Sequence, residues 1–425
     1  MIALADCNHY YVSCERAFRP DLEGRPVGVL TNNDGCVIAR SPEIKALGVA
    51  MGAPAHLLEP HIKRQCVLLS SNYALYGDLS RRVTSVYHQY TPHVDVYSID
   101  ESFLGFHGFS EDTLGAHCQA LRAQVRKETG IPISIGLSDS KTLAKIANHV
   151  AKKQAAYEGV AMLPADSPAT RRVLEELPLT EVWGVARRTA AKLEDMDIHS
   201  AWDLREADPK RIRGRFNVVL ERTVWELRGR DCIELDDMHQ PKKQIMTSRS
   251  FGRLTGNLAD LREAVRAHAA RGGEKLRKQS SLARAVLVFV KTNPYRDDQP
   301  QHGQSVVVGL PRPTDDSRLI VRAAMHGLES IYRKGFAYQK TGVMLMDLCD
   351  RDGEQLDLMA TPQSEDERRR NERLMATLDK LNREHGAGTV KLGGGRKNAA
   401  WHLRSQWRTP RYTTRWDELP VVRMG

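Results

Sequence analysis

The stretch IALADCNHYY, residues 2–11, decides the fold of the first part of the chain. Its four leading apolar residues predict a short buried strand that ends abruptly at Asp6. Farther along, the apolar pattern predicts strands over 94–106 and 131–137 and helices over 72–89, 111–129 and 140–153. Strands that alternate with helices in this way are typical of an α/β or α+β unit built around one sheet.

Three carboxylates near the ends of these strands indicate a metal site. Asp6 ends the first strand, and Asp100 and Glu101 lie in the run YSIDESF, residues 97–103. Carboxylates at the ends of central strands are costly to bury unless they hold a cation or a partner. Three oxygen ligands without His or Cys favour a hard ion such as Mg²⁺ or Mn²⁺. The alternative is that Asp6 caps the following helix and that the other two form a surface pair.

Length and composition narrow the class of protein. The chain has 425 residues, of which 41% are apolar, so two to four domains are expected. No apolar run approaches the ~20 residues of a membrane span, and the first residues do not resemble a secretory signal. The seven scattered cysteines include no C-x-x-C pair, which favours a reducing compartment over a zinc or disulfide framework. We therefore expect a cytoplasmic protein without a membrane partner.

The net charge of +10 is concentrated in one part of the chain. Residues 240–295 hold 12 basic and 3 acidic side chains. Such a patch is typical of a surface that binds a polyanion, most often nucleic acid, although a solvated basic surface is the alternative. Residues 240–350 also predict the order strand, helix, strand, strand, helix, strand, which is the split βαβ, ferredoxin-like pattern. The preceding segment, 166–239, predicts short helices only.

Three motifs in colinear order resemble those of the Y-family translesion DNA polymerases. They are DCNHYY with SCE (6–15), YSIDESF (97–103), and GLS with KTLAKIAN and AKK (136–153). Other stretches resemble the UmuC branch of that family, namely NNDGCVIAR (32–40), FNVVLERT (216–223) and SQWRTPRYTTR (405–415). The similarity covers nearly the whole chain.

The resemblance implies an α+β, multidomain, right-hand fold. Its parts are a ferredoxin-like palm, small fingers, a helical thumb and a ferredoxin-like little finger that binds DNA. The implied boundaries are 1–18 and 72–165 for the palm, 19–71 for the fingers, 166–239 for the thumb, 240–350 for the little finger and 351–425 for a C-terminal tail.

The resemblance also implies an activity, which is error-prone translesion synthesis in the SOS response to DNA damage. Asp6, Asp100 and Glu101 then bind two Mg²⁺ ions, for which Mn²⁺ can substitute, and the carbonyl of Cys7 is a further ligand. The primer 3′-oxygen attacks the α-phosphate of a dNTP, and pyrophosphate leaves. The substrates are primer–template DNA and dNTPs.

Several residues match the family's nucleotide-binding positions. Tyr11 corresponds to the steric gate against ribonucleotides; its alternative is a core tyrosine. The expected triphosphate contacts are Tyr10 with its backbone, Lys45 in place of the family's Arg, Lys152, and Arg40. The family's hydroxyl contact is missing at Ala39, and either Arg40 or Ser41 compensates for it. The alternative for Lys152 is an ordinary exposed helix lysine.

Two regions resemble DNA-binding surfaces. Residues 182–193 resemble a helix-hairpin-helix, in which Gly184 forms the turn, Arg187 and Arg188 add charge, and Ala186 replaces a second glycine. A plain helical hairpin is the alternative. The little-finger candidates are Lys242, Lys243, Arg249, Arg253, Lys275, Arg277 and Lys278. Contacts of this kind bind the phosphate backbone without sequence readout.

The tail carries candidate partner sites. Gln355, Leu356, Leu358 and Met359 resemble the peptide that binds the bacterial β sliding clamp, with Met in place of the usual Phe. Aromatic residues among basic ones (Trp401, Trp407, Tyr412 and Trp416) suit stacking on bases or on a protein, and a small folded appendix is the alternative. The resemblance further implies a dimer of a cleaved UmuD-like protein and the RecA filament as partners.

Two other function classes stay open at this point. One is a non-catalytic DNA-binding scaffold that recruits a clamp or repair partners. The other is a two-metal nuclease or nucleotide cyclase on the same palm. The presence of all three carboxylates and of Tyr11 argues against the scaffold, and the two DNA-binding regions argue against the cyclase.

Overall fold

The computed structural model describes residues 1–233, 241–351, 365–386, 388–393 and 401–419. The chain divides into two compact units, Met1–Gln240 with Gln406–Gly425 and Pro241–Ser405. Among the described residues, no helix combines the length and the apolar character that crossing a membrane requires.

The first unit contains, in chain order, β1 (Ile2–Cys7), α1 (Tyr10–Phe18), β2 (Val27–Leu30), β3 (Val37–Arg40), α2 (Pro42–Ala46), α3 (Pro60–Gln65), β4 (Val67–Ser70), α4 (Tyr73–Tyr87), β5 (His93–Val96), β6 (Glu101–Gly105), α5 (Glu111–Thr129), β7 (Ile133–Ser138), α6 (Lys141–Lys153), β8 (Val160–Met162), α7 (Pro168–Glu176), α8 (Arg187–Glu194), α9 (Ala201–Glu206), α10 (Pro209–Arg215) and α11 (Val218–Leu227).

The largest sheet of this unit has the order β5-β6-β1-β7-β8, with β1 in the centre. Strand β1 pairs antiparallel with both β6 and β7, while β7 pairs parallel with β8. Because β1 is covered on both faces, its short apolar run is almost fully buried. A central position for β1 brings the residues at its carboxyl end beside those that begin β6.

The single strand predicted over 94–106 is wrong, because the structure has two antiparallel strands, β5 and β6, joined by a turn. The hydroxyl of Ser98 accepts hydrogen bonds from the backbone N–H groups of Asp100 at 3.2 Å and Glu101 at 3.0 Å. A serine that bonds to nearby backbone in this way competes with a strand ladder. The turn therefore places both carboxylates at the start of β6.

Two smaller layers complete the first unit. A three-stranded sheet of order β3-β2-β4 packs with α2 around its own core, which contains Leu30, Val37 and Ile44. Helix α2 begins at Pro42, and its N-cap Ser41 accepts a hydrogen bond from the Ile44 N–H. Between 166 and 233, the described residues form helices α7 to α11 around a second apolar core.

The second unit contains β9 (Ile245–Thr255), α12 (Leu258–Lys278), β10 (Ser281–Thr292), β11 (Gly303–Thr314), α13 (Ser317–Ile331), β12 (Tyr338–Met346), β13 (Cys349–Asp350) and α14 (Glu365–Glu384). Its sheet has the order β11-β10-β12-β9. Each of α12 and α13 connects two strands that are separated by one other strand, which is the predicted split βαβ pattern. The core lies between these helices and the sheet.

The segment 406–419 packs into the first unit. Tyr412 is buried in the same apolar cluster as Tyr10 and Tyr76, and its ring stacks on Phe18 with a centroid distance of 4.9 Å. Trp407 and Trp416 keep much of their surface exposed. Of the aromatic residues predicted to contact bases or a partner, Tyr412 is therefore a core residue instead.

Candidate active site

Strand pairing gathers the three predicted metal ligands at one end of the large sheet. Asp6 on β1 lies directly opposite Glu101 on β6. The backbone N–H of Cys7 donates to the carbonyl of Asp100 at 2.8 Å, so the turn before β6 is joined to the end of β1. Residues that are 93 and 95 positions apart in sequence thus become neighbours.

Two lysines of α6 hold two of these carboxylates. Lys152 Nζ lies 2.5 Å from Asp6 Oδ2, and Lys145 Nζ lies 3.0 Å from each Glu101 carboxylate oxygen. The third carboxylate, on Asp100, accepts a hydrogen bond from Ser98 Oγ at 2.6 Å. Because the two lysines are two helical turns apart, they lie on the same face of α6.

Burial makes the ionised form of Asp6 costly. It raises the pKa of Asp6 to about 6, with further contributions from the charges of Glu101 and Asp100, while Lys152 opposes the rise. Burial also raises the pKa of the Cys7 thiol. That thiol therefore stays protonated, and its residue could serve a metal only through its carbonyl oxygen.

The donor set fits a hard divalent cation. Within the described ranges, no three His, Cys, Asp or Glu side chains stand together as a ready-made metal site. Lysine ammonium groups instead bind two of the three carboxylates. All the predicted ligands are oxygens, and a cation would stabilise the buried carboxylate of Asp6.

A cationic cluster, formed by Arg16, Arg40, Lys45 and Lys152 around His9, adjoins the carboxylate of Asp6. His9 adopts a left-handed conformation with φ 50° just before α1, and its Nδ1 is 3.2 Å from Lys45 Nζ. Burial and then the charges of Lys45, Lys152 and Arg16 lower the pKa of His9 to about 4. Burial and the charges of Arg40 and Lys152 lower the pKa of Lys45. Mutually repelling cations of this kind favour the binding of a polyanion such as a triphosphate.

Tyr11 and Tyr10 face different surroundings although they are adjacent on α1. The ring of Tyr11 is half-buried and stacks on Tyr76 at a centroid distance of 4.4 Å. The ring of Tyr10 is 3% exposed, and its hydroxyl donates to the carbonyl of Tyr76 at 2.6 Å. The predicted triphosphate contact of Tyr10 is therefore restricted to its backbone, because its side chain belongs to the core.

Comparisons with known proteins agree with this geometry. Profiles of the impB/mucB/samB family and of its C-terminal domain match residues 5–149 and 242–358, and a domain of unknown function (DUF4113) matches 372–422. Protein UmuC of Salmonella typhimurium is 44% identical over the full length of both chains. The chain belongs to the impB/mucB/samB, or UmuC, family of Y-family DNA polymerases.

More distant relatives agree with this assignment. DNA polymerase IV of Desulfatibacillum aliphaticivorans is 29% identical over 92% of this chain and 96% of that protein. A Y-family DNA polymerase chimera of Dbh and Dpo4 has a TM-score of 0.61 at 16% identity, and covers 82% of this chain and 100% of its own. The predicted fold class, an α+β multidomain Y-family polymerase, is confirmed.

The remaining triphosphate candidates in this UmuC-family polymerase are placed as follows. Lys152 and Lys45 both belong to the cationic cluster around His9. Arg40 Nη1 donates to the carbonyl of Val49 at 2.8 Å, so part of this guanidinium is engaged within the chain. Its buried Nε has no hydrogen-bond partner in the described structure.

Two residues of the site were missed by sequence reasoning. His9 lies inside the first motif, but only the fold shows that it contacts Lys45. Lys145 binds Glu101, and its ammonium group lies 4.8 Å from the Tyr97 ring centroid and 5.3 Å from that of Trp183. Its spacing of seven residues from Lys152 on an amphipathic helix was the signal that could have found it.

The predicted helix-hairpin-helix turn has the expected backbone. Gly184 has a φ of +86°, a conformation that disfavours other residues, and no atom stands where a side chain would begin. Helix α8 begins at Arg187, and both Arg187 and Arg188 are exposed. Gly184, Trp183, Tyr97 and Phe216 help to line a cavity of about 820 Å³.

In the second unit, six of the seven DNA candidates are exposed: Lys242, Lys243, Arg249, Arg253, Lys275 and Lys278. Burial and the charges of Arg271 and Lys242 lower the pKa of Lys275, which shows that basic groups cluster there. The prediction for Arg277 is wrong. Its side chain is 9% exposed and bonds both carboxylate oxygens of Asp379 on α14 at 2.6 and 2.8 Å. The clamp-peptide candidates, 355–359, lie outside the described residues.

Proposed function

We propose that this polymerase performs error-prone translesion synthesis in the SOS response, by adding a nucleotide from a dNTP to a primer 3′-hydroxyl. One observation carries the proposal: strand pairing brings Asp6 opposite Glu101 and joins the backbone of Asp100 to that of Cys7, and Lys152 links Asp6 to the cationic cluster around His9. In this reading 1–18 and 72–165 are the palm, 19–71 the fingers, 166–239 the thumb, 240–350 the little finger and 351–425 the tail.

Asp6, Asp100, Glu101 and the Cys7 carbonyl would hold two Mg²⁺ ions, or Mn²⁺. Such ions acidify the primer 3′-hydroxyl and neutralise the phosphate charge that develops during transfer. When they bind, Lys152 and Lys145 lose their present partners. Because Lys152 adjoins the cationic cluster, its ammonium group can turn from Asp6 to the β- and γ-phosphates.

The other residues bind and orient the incoming nucleotide. Lys45, His9 and Arg40 hold the triphosphate, and a lysine at position 45 provides charge without the fork of a guanidinium. Tyr11 excludes a 2′-hydroxyl from the space beneath the sugar. Since Tyr76 stacks on one face of the Tyr11 ring, that ring is held in a fixed position.

DNA and protein partners use other surfaces. The turn at Gly184 and the exposed basic residues of the second unit bind phosphates without sequence readout, which suits an enzyme that copies any template. Residues 355–359 bind the β sliding clamp, and a UmuD-like dimer and the RecA filament assist synthesis. The enzyme then works in the bacterial cytoplasm, on the nucleoid.

The test is primer extension past an abasic site with Mg²⁺ and dNTPs. Wild type is compared with Asp100→Ala and with a matched control, Asp112→Ala, which changes an exposed residue of α5. Each is assayed alone and with the cleaved UmuD-like protein, RecA filament and clamp. We expect extension by wild type and the control and none by Asp100→Ala. DNA binding without extension under every condition would favour a non-catalytic scaffold, and primer degradation would indicate a nuclease.

A further inference from the structure

Two stretches that mark the UmuC branch, 32–40 and 405–415, meet in the structure through residues that have no part in the chemistry above. The Gln406 N–H donates to Asp34 Oδ2 at 3.0 Å, and Ser70 Oγ donates to the other oxygen of that carboxylate at 2.5 Å. Trp407 and Ser70 are joined by two further hydrogen bonds, at 3.0 and 3.2 Å. We name residues 406–419 the clasp.

The clasp is also attached at Asn72, which is 1% exposed. The side-chain amide nitrogen of Asn72 lies 3.0 Å from each of three acceptors, the carbonyl and the hydroxyl of Thr409 and the carbonyl of Pro410. The side-chain oxygen of Asn72 is the N-cap of α4 and accepts from the Leu75 N–H at 3.4 Å. One buried side chain thus joins the clasp to the first turn of α4.

The clasp also contacts α1. Tyr412 stacks on Phe18, the last residue of α1. Glu15 of α1 is fully buried and accepts a hydrogen bond from the Tyr76 hydroxyl at 2.7 Å. Burial raises the pKa of Glu15, and the hydrogen bond from Tyr76 opposes the rise. The clasp therefore holds α1 and α4 to each other from one side.

The relative position of these two helices sets the position of Tyr11. Tyr11 lies on α1, stacks on Tyr76 of α4 at an interplanar angle of 15°, and meets Tyr73 edge-on at 6.0 Å. Tyr73 is the first residue of α4, immediately after Asn72. A change at the Asn72–Thr409 junction would therefore displace the rings that support Tyr11.

We propose that the clasp is a positioning element for the steric gate, and that Asn72 and Thr409 are positioning residues for sugar selection. This inference rests on the proposed role of Tyr11. A gate discriminates by the space that one hydroxyl needs, so a ring displacement of ~1 Å is enough to weaken it. The inference assigns a role to the last part of the domain of unknown function matched over 372–422.

The main test is Asn72→Asp. Aspartate keeps the shape and the cap acceptor but loses both N–H donors, and it faces two carbonyl oxygens of the clasp. The control is Asn257→Asp, which changes the N-cap of α12 in the other unit. We measure kcat/KM for dNTP and for rNTP insertion opposite one undamaged base. We expect Asn72→Asp to lower the preference for dNTP about tenfold while dNTP insertion falls much less, and we expect no change for the control.

Two more variants distinguish a failure of the clasp's positioning role from a failure of the proposed Tyr11 gate. Thr409→Val keeps the side-chain volume but removes the hydroxyl, and we expect it to cause a milder loss of selectivity. It replaces Asn72→Asp as the test if that variant does not fold. Tyr11→Ala should abolish the selectivity, and adding Asn72→Asp to it should then have no further effect. If Tyr11→Ala leaves selectivity unchanged, the gate itself is wrong. If Tyr11→Ala abolishes selectivity while folded Asn72→Asp and Thr409→Val retain it, the clasp has no positioning role.

Discussion

The substitution Asp6→Asn should stabilise the metal-free protein while it abolishes nucleotide transfer. Burial raises the pKa of Asp6 from 3.8 to about 6 in the folded chain. Because the folded pKa lies above the unfolded one, ionisation opposes folding: the cost is small below pH 4, grows as the pH rises and is complete above about pH 6. Asparagine has the same shape and carries no charge, so it avoids this cost.

The size of the effect follows from the shift. Each pKa unit corresponds to ~1.4 kcal/mol, so Asp6→Asn should raise the free energy of unfolding by about 3 kcal/mol at pH 8 and by about 1 kcal/mol at pH 4.5. The assay is urea unfolding in a chelator, followed by tryptophan fluorescence. Five of the six tryptophans belong to the first unit, so the signal reports mainly on the unit that contains Asp6.

Asp78→Asn is a control matched in burial, because the side chains of Asp78 and Asp6 are both 14% exposed. It should change the free energy of unfolding in the opposite direction. Burial raises the pKa of Asp78, but the hydrogen bond from Arg82 and the charges of Arg82 and Arg81 outweigh it and lower this pKa. Its loss should therefore destabilise the protein at pH 8 and almost equally at pH 4.5, because this stabilisation is lost only as the pH falls below 3.8 toward the lowered pKa. Equal stability of wild type and Asp6→Asn at pH 8, or changes of the same sign in both variants, would refute the reasoning.

Four further predictions concern substrates, partners and stability. Lys45→Ala should raise the KM for dNTP about tenfold, because it removes a charged phosphate contact, and Lys45→Arg should keep the KM near that of wild type. Steady-state kinetics measure the KM, and an unchanged KM in Lys45→Ala would contradict this role. Arg249→Ala should reduce the slope of log Kd for DNA against log salt by about one. Arg277→Ala should leave that slope unchanged but lower the free energy of unfolding by about 3 kcal/mol, because it leaves Asp379 unpaired. DNA-binding titrations check the slope, and unfolding titrations check the free energy. Gln355→Ala should weaken clamp binding in a pull-down without affecting unaided primer extension.

Elements with strong local patterns could be predicted from the sequence. The helix predicted over 111–129 is found as Glu111–Thr129, and the βαββαβ order of the second unit is also found. The break in the strand at residues 97–100 could not be predicted in this way. The Ser98 hydroxyl bonds to nearby backbone N–H groups and interrupts the strand. One serine within an alternating pattern is only a weak signal of such a break.

Long-range pairing explains most of what could not be predicted at the site. Arg277 belongs to a basic run, and its partner Asp379 is 102 residues away, so local charge counting assigned it to DNA. Tyr10 and Tyr11 are adjacent on one helix, and only the packing of α4 decides which ring enters the core. The clasp likewise depends on hydrogen bonds that span more than 330 residues.

Counting bound metal tests the central claim most directly. Mn²⁺ is titrated into the protein with primer–template DNA and a non-hydrolysable dNTP analogue, and the bound ions are counted by electron paramagnetic resonance. The three carboxylates at the ends of β1 and β6 predict two Mn²⁺ ions per wild-type chain and fewer in Asp6→Asn and Asp100→Asn. The account would be contradicted if wild type bound no Mn²⁺, or if both variants bound as many ions as wild type.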